Sequence, residues 1–525
     1  MNRHELSADG DTADATHTAN REPHHHRIAL IGAGLSGLAL AIELRLAGRD
    51  DFVLLERADD VGGVWRDNHY PGVAVDVPSK LYNLGRAPNP DWSRRFAPGA
   101  ELLGYARDLI DRHDLGGRIR FGHDVLSAHW DGTRHRWTVR TSAGTLTCDL
   151  LVSAAGLVAD PRIPGIPGLD SFPGPVFHSA RWDHTHDFRG ERVAVVGTGA
   201  SAIQFVPRVQ PVAGRLHVFQ RTPTWISPRP DAPITDAARR RLRRHPSLMR
   251  AERTALYWAY EALATARRVR PVRSAAVGLA KRHLARQVPD PVLREKLTPD
   301  FEIGCKRALL SSDFYPAMSQ PNVTLHTGGL TEVRGHTLIA GDGSEADVDA
   351  IVLNTGFEIG RTSPIARRIT GRGGRTLAES WNGSPRGYLG MAHPEFPNFF
   401  LMQGPNATTG ASSVLIFADL QARYIADAIR VMDRRNIAVV EVRAEHEARY
   451  TRWVRRRSAS TVWERGGCDS YYQDDAGRNV VLFPGFTFEY QWRARRFDPD
   501  AYTLTPPPAR ARTALRPATT TGGAR

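Results

Sequence analysis

Apolar runs alternate with a helical segment between residues 27 and 55 and predict a parallel α/β unit. Residues 27–31 (RIALI) and 52–55 (FVLL) are short, almost wholly apolar runs. Such runs are typical of strands buried on both faces of a parallel sheet. The Ala/Leu-rich segment 35–46 between them predicts a helix. A strand, a helix and a second strand in this order form a βαβ unit.

The same alternation recurs further along the chain. Residues 192–196 and 216–219 predict two more buried strands with a helix between them. Residues 151–156 and 351–357 each predict a buried strand that ends in a turn of small residues. The Ala/Leu/Arg-rich stretch 232–300 spaces its apolar residues as a helix does. The predicted fold class is therefore α/β, with two Rossmann-like dinucleotide-binding domains and a helical insertion.

A glycine-rich loop follows the first strand of the first unit. It reads Gly32-Ala-Gly34-Leu-Ser36-Gly37, it opens the predicted helix, and Glu56 ends the next strand. Glycines allow a tight turn and let the backbone reach a pyrophosphate at the helix N-terminus. A carboxylate in the position of Glu56 can accept both ribose hydroxyls. This context predicts a dinucleotide site.

The second unit has a similar loop but a different strand end. The loop reads Gly197-Thr198-Gly199-Ala200-Ser201-Ala202. The next strand ends in Gln220-Arg221-Thr222, with no acid. A carboxylate would repel a 2′-phosphate, whereas Arg221 offers a bidentate donor and Thr222 a hydroxyl. The second site is therefore predicted to prefer NADPH over NADH.

Composition describes a globular chain and excludes several other classes. The 525 residues are 41% hydrophobic and 24% charged, and the net charge of +14 comes mostly from arginines spread along the chain. We attribute this charge to composition rather than to a nucleic-acid or membrane partner, because its densest run has no interleaved aromatics. No stretch approaches the ~20 apolar residues of a membrane span. Residues 1–26 and 504–525 are predicted to be disordered tails.

The cysteines give no sign of a metal or redox centre. Cys148, Cys305 and Cys468 are far apart, and no CxxC is present. Neither a zinc site nor a redox dithiol is predicted, and no other metal is expected. A reducing, cytoplasmic location fits this usage, and the missing CxxC argues against a disulfide reductase.

Two longer motifs carry a family resemblance. The first reads Phe172-x-Gly174-xxx-His178-xxx-Trp182-Asp183, and it precedes the second loop. The second reads Gly62-Gly63-Val64-Trp65, then Tyr70-Pro71-Gly72 and Asp76. Over residues 27 to 503, the chain resembles the Baeyer–Villiger monooxygenases, class B flavoproteins that use FAD, NADPH and O2.

The resemblance implies a division of the chain and a set of cofactor ligands. Residues 27–155 and 357–503 would bind FAD, and 156–231 with 301–356 would bind NADPH, with the helical insertion at 232–300. The implied FAD ligands are Gly32, Gly34, Ser36, Gly37, Glu56, Gly63, Val64, Trp65, Asp76 and Tyr82. The implied NADPH ligands are Gly197, Thr198, Gly199, Ala200, Ser201, Arg221, Thr222 and Lys306. His178 and Trp182 would have a coupling role between domains and no direct chemistry.

The resemblance also implies the reaction. The enzyme would insert one oxygen atom of O2 next to a ketone carbonyl, through a flavin C4a-peroxide, to give an ester or lactone. Arg307 would stabilise the anionic oxygen species, since an arginine does not lose its proton at working pH. Asp76 would orient the Arg307 guanidinium.

Three segments depart from the family pattern and leave the substrate open. They are Asn83-Leu-Gly-Arg86, Gly404-Pro-Asn-Ala-Thr-Thr-Gly410, and Cys468-Asp-Ser-Tyr471, where tyrosine replaces a common tryptophan. The alternative activity is oxidation of nitrogen or sulfur in an aromatic or heterocyclic substrate. The oligomeric state is not predicted.

Overall fold

Two separate sheets organise the molecule, of which the first is mixed and the second is parallel. The computed structural model describes residues 23–266, 269–410 and 412–508. Within these residues the strands are β1 (His24–Ile31), β2 (Phe52–Leu55), β3 (Ile119–Arg120), β4 (Val125–Asp131), β5 (Arg136–Thr141), β6 (Gly144–Ser153), β7 (Val176–His178), β8 (Arg192–Val196), β9 (Arg215–Gln220), β10 (Ile226–Ser227), β11 (Leu309–Leu310), β12 (Val323–Thr327), β13 (Leu330–Arg334), β14 (Thr337–Ala340), β15 (Glu345–Asp347), β16 (Ala350–Leu353), β17 (Ile369–Thr370), β18 (Phe399–Leu401), β19 (Val439–Val442) and β20 (Tyr502–Thr505).

The helices lie between and around these strands. They are α1 (Leu35–Leu46), α2 (Val64–Asp67), α3 (Gly99–His113), α4 (Ala202–Val209), α5 (Asp236–Arg244), α6 (Pro246–Ala266), α7 (Arg270–Gln287), α8 (Pro291–Lys296), α9 (Phe314–Met318), α10 (Pro364–Arg368), α11 (Leu377–Trp381), α12 (Val414–Arg434), α13 (Ala444–Ser458), α14 (Val462–Arg465) and α15 (Thr487–Arg493). Helices α5 to α8 fall in the stretch predicted to be a helical insertion. Among the described residues, no helix is long and apolar enough to cross a membrane.

The first sheet has the strand order β17-β4-β5-β6-β1-β2-β3, and β18 also pairs with β6. Its central strands are buried on both faces, as the apolar runs predicted. In β1, Ile28 and Leu30 face one core while Ala29 and Ile31 face the other. This alternation follows from the two-residue period of a strand. Helices α1 and α12 pack against each other in the first of these cores.

The second sheet has the order β12-β9-β8-β16-β7 and is formed by strands between residues 176 and 353. Its strands pair in parallel throughout. The first sheet takes its strands from both sides of this stretch, so the chain leaves the first sheet after β6 and returns to it at β17 and β18. Two connections therefore join the sheets.

Strands occupy the inner ends of both predicted tails, residues 24–26 and 504–505. Strand β1 begins at His24 because His24, His25 and His26 pair in parallel with residues 146–148 of β6. Strand β20 extends to Thr505 because it pairs antiparallel with β19. The remainder of the tail predictions, residues 1–22 and 509–525, lies outside the described residues.

Candidate active site between the two sheets

One cavity of about 1440 Å³ collects the residues that the motifs single out. It is bordered by the residues that follow the carboxyl ends of β1 and β8, where ligands bind in open α/β sheets. Its lining includes Gly32, Gly34, Ser36, Glu56, Gly63, Val64, Trp65, Asp76, Tyr82, Gly197, Thr198, Gly199, Ala200, Ser201, Arg221, Thr222, Lys306 and Arg307.

Gly37 does not line the cavity, and the structure gives it a different role. A Cβ atom at this position would overlap the carbonyl oxygen of Gly32. Gly37 therefore lets α1 approach the loop closely, which is the packing role of the third glycine in such loops. Contact between Gly37 and the cofactor stays a prediction.

The two glycine-rich loops are held in the same way. Gly32 and Gly197 have φ angles of +100° and +103°, where a side chain is strained. A Cβ at Gly32 would stand 2.8 Å from the carbonyl oxygen of Ala154, just after β6. A Cβ at Gly197 would stand 2.5 Å from that of Asn354, just after β16. Each loop thus packs on the turn that connects one sheet to the other.

The first loop leaves room for a phosphate-bearing ligand. A Cβ at Gly34 would meet nothing nearer than the Cα of Gly63, at 3.7 Å. The buried Glu56 carboxylate accepts from the backbone N–H groups of Ala33, at 2.9 Å, and Ala58, at 3.1 Å. It also accepts from Arg66 at 2.9 Å. A carboxylate has about four acceptor sites, so about one remains for a ribose hydroxyl.

Three unpartnered polar atoms show that this part of the cavity fits FAD. Gln403 Oε1, Thr408 Oγ1 and Ser412 Oγ are buried and make no hydrogen bond within the described residues. All three residues line the cavity. Burying such atoms unpaired is costly, so a polar ligand edge is needed to satisfy them. Sequence reasoning did not single out these residues, except that Thr408 lies in the unusual segment 404–410.

The second half of the cavity fits an anion. Arg221 is exposed and lines the cavity, and no ion pair joins it to a carboxylate within the described residues. Burial, and then the nearby charge of Arg221, lower the pKa of Lys306. Two cations that face one cavity destabilise each other until an anion binds between them. Asn354 Nδ2 is also buried there with no partner among the described residues, beside Gly199.

Arg221→Ala is expected to reduce the preference for NADPH over NADH by about 1.5–3 kcal/mol, the size of a hydrogen bond to a charged group. The reason is that only NADPH carries the 2′-phosphate. The measurement is kcat/KM for both cofactors. Arg189→Ala is the matched control, since this exposed arginine pairs with Asp187 in the same domain and does not line the cavity. Equal kcat/KM values for both cofactors in the unaltered enzyme would contradict the assignment.

The two predicted catalytic residues meet in an ion pair. Arg307 NH2 lies 2.6 Å from Asp76 Oδ2, and each side chain is about one third exposed. Asp76 is the main cause that holds the pKa of Arg307 above its usual range, with smaller contributions from Tyr471 and Tyr472. The guanidinium therefore remains charged at any working pH.

Two aromatic residues stand beside this pair. Trp65 Nε1 donates to the hydroxyl of Tyr82 at 3.2 Å, and the rings meet edge to face. Burial raises the pKa of Tyr82 to about 12, so its hydroxyl stays neutral. The two rings give the cavity wall near Asp76 an apolar surface, and the Tyr82 hydroxyl already accepts a hydrogen bond from Trp65.

Gln204 is a site residue that sequence reasoning missed. It lies on α4, directly after the second loop, and its side chain reaches the segment that carries Asp76. The Tyr70 hydroxyl donates to Gln204 Oε1 at 3.0 Å, and Gln204 Nε2 donates to the carbonyl of Ala74 at 3.0 Å. Its signal was a polar residue in the otherwise apolar first turn of this helix.

His178 and Trp182 have surroundings that suit a structural role. His178 ends β7, where it pairs with Leu353 of β16. Its ring contacts Phe357, with ring centroids 5.6 Å apart. Trp182 is buried and packs on Phe205 of α4.

Two cysteines are paired, which their spacing did not indicate. Cys305 and Cys468 form a disulfide, with Cα atoms 6.1 Å apart, although 163 residues separate them in sequence. They meet because both segments fold against the same end of the cavity. The sequence analysis did not predict this pair, because the absence of a CxxC motif says nothing about cysteines that are distant in sequence. Cys148 is free and buried.

Comparison with known proteins identifies the class of this fold and site. Residues 29–255 match the family model described as pyridine nucleotide-disulphide oxidoreductase. The fold is similar to a steroid monooxygenase bound to NADP, with a TM-score of 0.81, 30% identity, and coverage of 92% of this chain and 100% of the other. It is also similar to OTEMO in complex with FAD and NADP, with a TM-score of 0.83, 27% identity and the same coverage. The class is that of NADPH-dependent flavoprotein monooxygenases that bind FAD.

Relatives identify the family within this class. A Baeyer–Villiger monooxygenase of Streptomyces coelicolor is 46% identical over 93% of this chain and 95% of its own length. One of Pseudomonas aeruginosa is 41% identical over 93% of both chains. The chain belongs to the Baeyer–Villiger monooxygenase family. The predicted fold class, cofactors and family are thereby confirmed.

Proposed function

We propose that this enzyme converts a ketone to an ester or lactone by inserting one oxygen atom of O2 next to the carbonyl, with NADPH as the reductant. The observation that carries the proposal is the Arg307–Asp76 ion pair. It lies on the wall of the one cavity that also contains both glycine-rich loops. A fixed positive charge at that place is what an anionic oxygenation requires.

Each part of the cavity has a proposed task in this reaction. When bound, NADPH would supply a hydride to FAD, and the reduced flavin would activate O2. The loop at Gly32 with Glu56 would hold the FAD pyrophosphate and ribose, and Arg221 with Thr222 and Lys306 would hold the NADPH 2′-phosphate. Trp65 and Tyr82 shield the reacting atoms from water.

Arg307 has the central chemical task. When the carbonyl carbon of the ketone is attacked, negative charge develops on the carbonyl oxygen. Arg307 is already charged and oriented by Asp76, so stabilising that oxygen requires no reorganisation at the moment of reaction. The raised pKa of Arg307 prevents it from giving its proton to the anion. Asp76 acts on the reaction through the position of the guanidinium.

Isotope labelling with product identification tests this activity. The purified enzyme, loaded with FAD, is supplied with NADPH and ¹⁸O₂ and offered ketones together with nitrogen heterocycles and sulfides. The ketones include steroid-sized ones, because one structural relative is a steroid monooxygenase. We expect an ester or lactone that carries one ¹⁸O atom. If only N-oxides or sulfoxides form, the enzyme is the alternative heteroatom oxygenase.

A further inference from the structure

The Cys305–Cys468 disulfide joins the two segments that converge on Arg307. Cys305 is two residues before Arg307, and Cys468 is three residues before Tyr471. Arg307, Tyr471 and Cys468 all line the active-site cavity. The disulfide therefore joins, by a covalent bond, two segments that both border the cavity beside Arg307.

The segment that carries Arg307 has few backbone hydrogen bonds and is held by side-chain packing and by the ion pair of Glu302 with Arg273. Residues 302–308 form neither a helix nor a strand. The N–H groups of residues 306–308 make no backbone hydrogen bond within the part of the chain that the structure describes. In addition to side-chain packing, one backbone hydrogen bond connects the two segments. The N–H of Glu302 donates to the carbonyl oxygen of Gly466 at 2.9 Å. A segment with so few backbone bonds opens locally at low cost unless another link holds it.

The opposite segment places two phenols beside the same guanidinium. Tyr471 and Tyr472 have ring centroids 4.4 Å apart, and Tyr472 is almost fully buried. Both lie close enough to Arg307 to help raise its pKa. The position of Arg307 thus depends on Asp76 and on how the segment at Cys468 is held against Cys305.

We propose that the Cys305–Cys468 disulfide is a positioning element for Arg307, so that its reduction loosens both segments and speeds the conversion of NADPH and O2 to NADP+ and hydrogen peroxide. The inference rests on the proposed role of Arg307. Cys305 is fully buried, whereas Cys468 is partly exposed and borders the cavity. Cys468 is therefore the sulfur that an external thiolate can reach.

The chemistry of this change is a two-electron thiol–disulfide exchange. A dithiol reductant attacks Cys468 Sγ, the S–S bond breaks, and the sulfur of Cys305 leaves and takes a proton. The second thiol of the reductant then displaces Cys468 and closes a cyclic disulfide. The enzyme gains two electrons and two protons, and the reductant loses them.

The test compares the enzyme, purified without reductant, before and after treatment with dithiothreitol. We expect one free thiol under denaturing conditions before treatment and three after it. Hydrogen exchange should become faster in peptides covering residues 303–310 and 466–474 and remain unchanged in β1 and α1. Hydrogen peroxide formation from NADPH without a ketone should rise by about tenfold, the scale of a sub-ångström misplacement of a catalytic group. Bound FAD should not change.

Cysteine variants distinguish the effect of reducing this disulfide from other effects of the reductant. The double variant Cys305→Ser/Cys468→Ser should behave as the reduced enzyme and no longer respond to dithiothreitol. Cys148→Ala should keep the full response, because Cys148 is buried in β6 and is not paired. Reoxidation should restore the original exchange and peroxide rates.

Three results would overturn the inference. They are three free thiols before treatment, unchanged exchange in both peptides after reduction, and faster exchange throughout the molecule, which indicates a general stabilising link. None of these measurements uses a ketone, so a failure of the proposed ketone oxidation is recognised separately by the absence of ester in both redox states.

Discussion

Arg307→Ala is expected to slow oxygenation by about a hundredfold or more, roughly 3–4 kcal/mol, the usual effect of removing one preorganised donor from an oxyanion. FAD should remain bound, because the loop at Gly32 and Glu56 lie elsewhere in the cavity. NADPH oxidation should continue and yield hydrogen peroxide in place of product, since reduction and oxygenation are separate steps. The measurement is product and peroxide formed per NADPH, after flavin occupancy has been checked.

A control for this substitution is available in the same molecule. Arg192 forms an ion pair with Asp349 at 2.6 Å, the same separation as in the Arg307–Asp76 pair, but outside the cavity. Arg192→Ala should therefore leave the ratio of product to peroxide unchanged. Arg307→Lys keeps the charge but loses the planar fork, so it should recover only part of the activity. Product formation by Arg307→Ala at the unaltered rate would show that the proposed role is wrong.

The sequence predicted the parts of the fold that depend on local pattern. The strands at 27–31, 52–55 and 192–196 were predicted because a strand buried on both faces is almost wholly apolar. The structure places strands at each of these segments, and it extends β1 to His24 through pairing with β6. That extension was missed because three histidines carry no apolar signal, and their pairing depends on a strand more than a hundred residues away.

The candidate site was predictable where a motif fixes a spacing, and not where distant segments meet. Gly32, Gly197 and Arg307 stand in recognisable motifs, and the structure brings them to one cavity. The role of Gln204 and the disulfide were not predicted, because each joins segments that are far apart in sequence. A contact of this kind depends on the tertiary arrangement, which residue spacing alone does not contain.

Gly34→Val is expected to give a folded but colourless protein. Gly34 has φ −76° and ψ 177°, a conformation that any residue adopts. Its added Cβ would meet the Cα and the backbone nitrogen of Gly63 at 3.7 and 3.9 Å, which are ordinary contact distances. The valine methyl groups would instead occupy the space that the FAD pyrophosphate needs, so the loss falls on the cofactor rather than on the fold. The measurements are FAD absorbance per protein and the thermal unfolding of the FAD-free form.

Substitutions at two other glycines serve as controls for this prediction. Gly104→Val on the exposed face of α3 should remain yellow and active, because nothing lies within 4 Å of its added Cβ. Gly37→Val should fail to fold, because its Cβ would overlap the Gly32 carbonyl oxygen and push α1 away from the loop. The three variants thus separate loss of cofactor from loss of fold. A yellow, fully active Gly34→Val enzyme would show that the FAD pyrophosphate lies elsewhere.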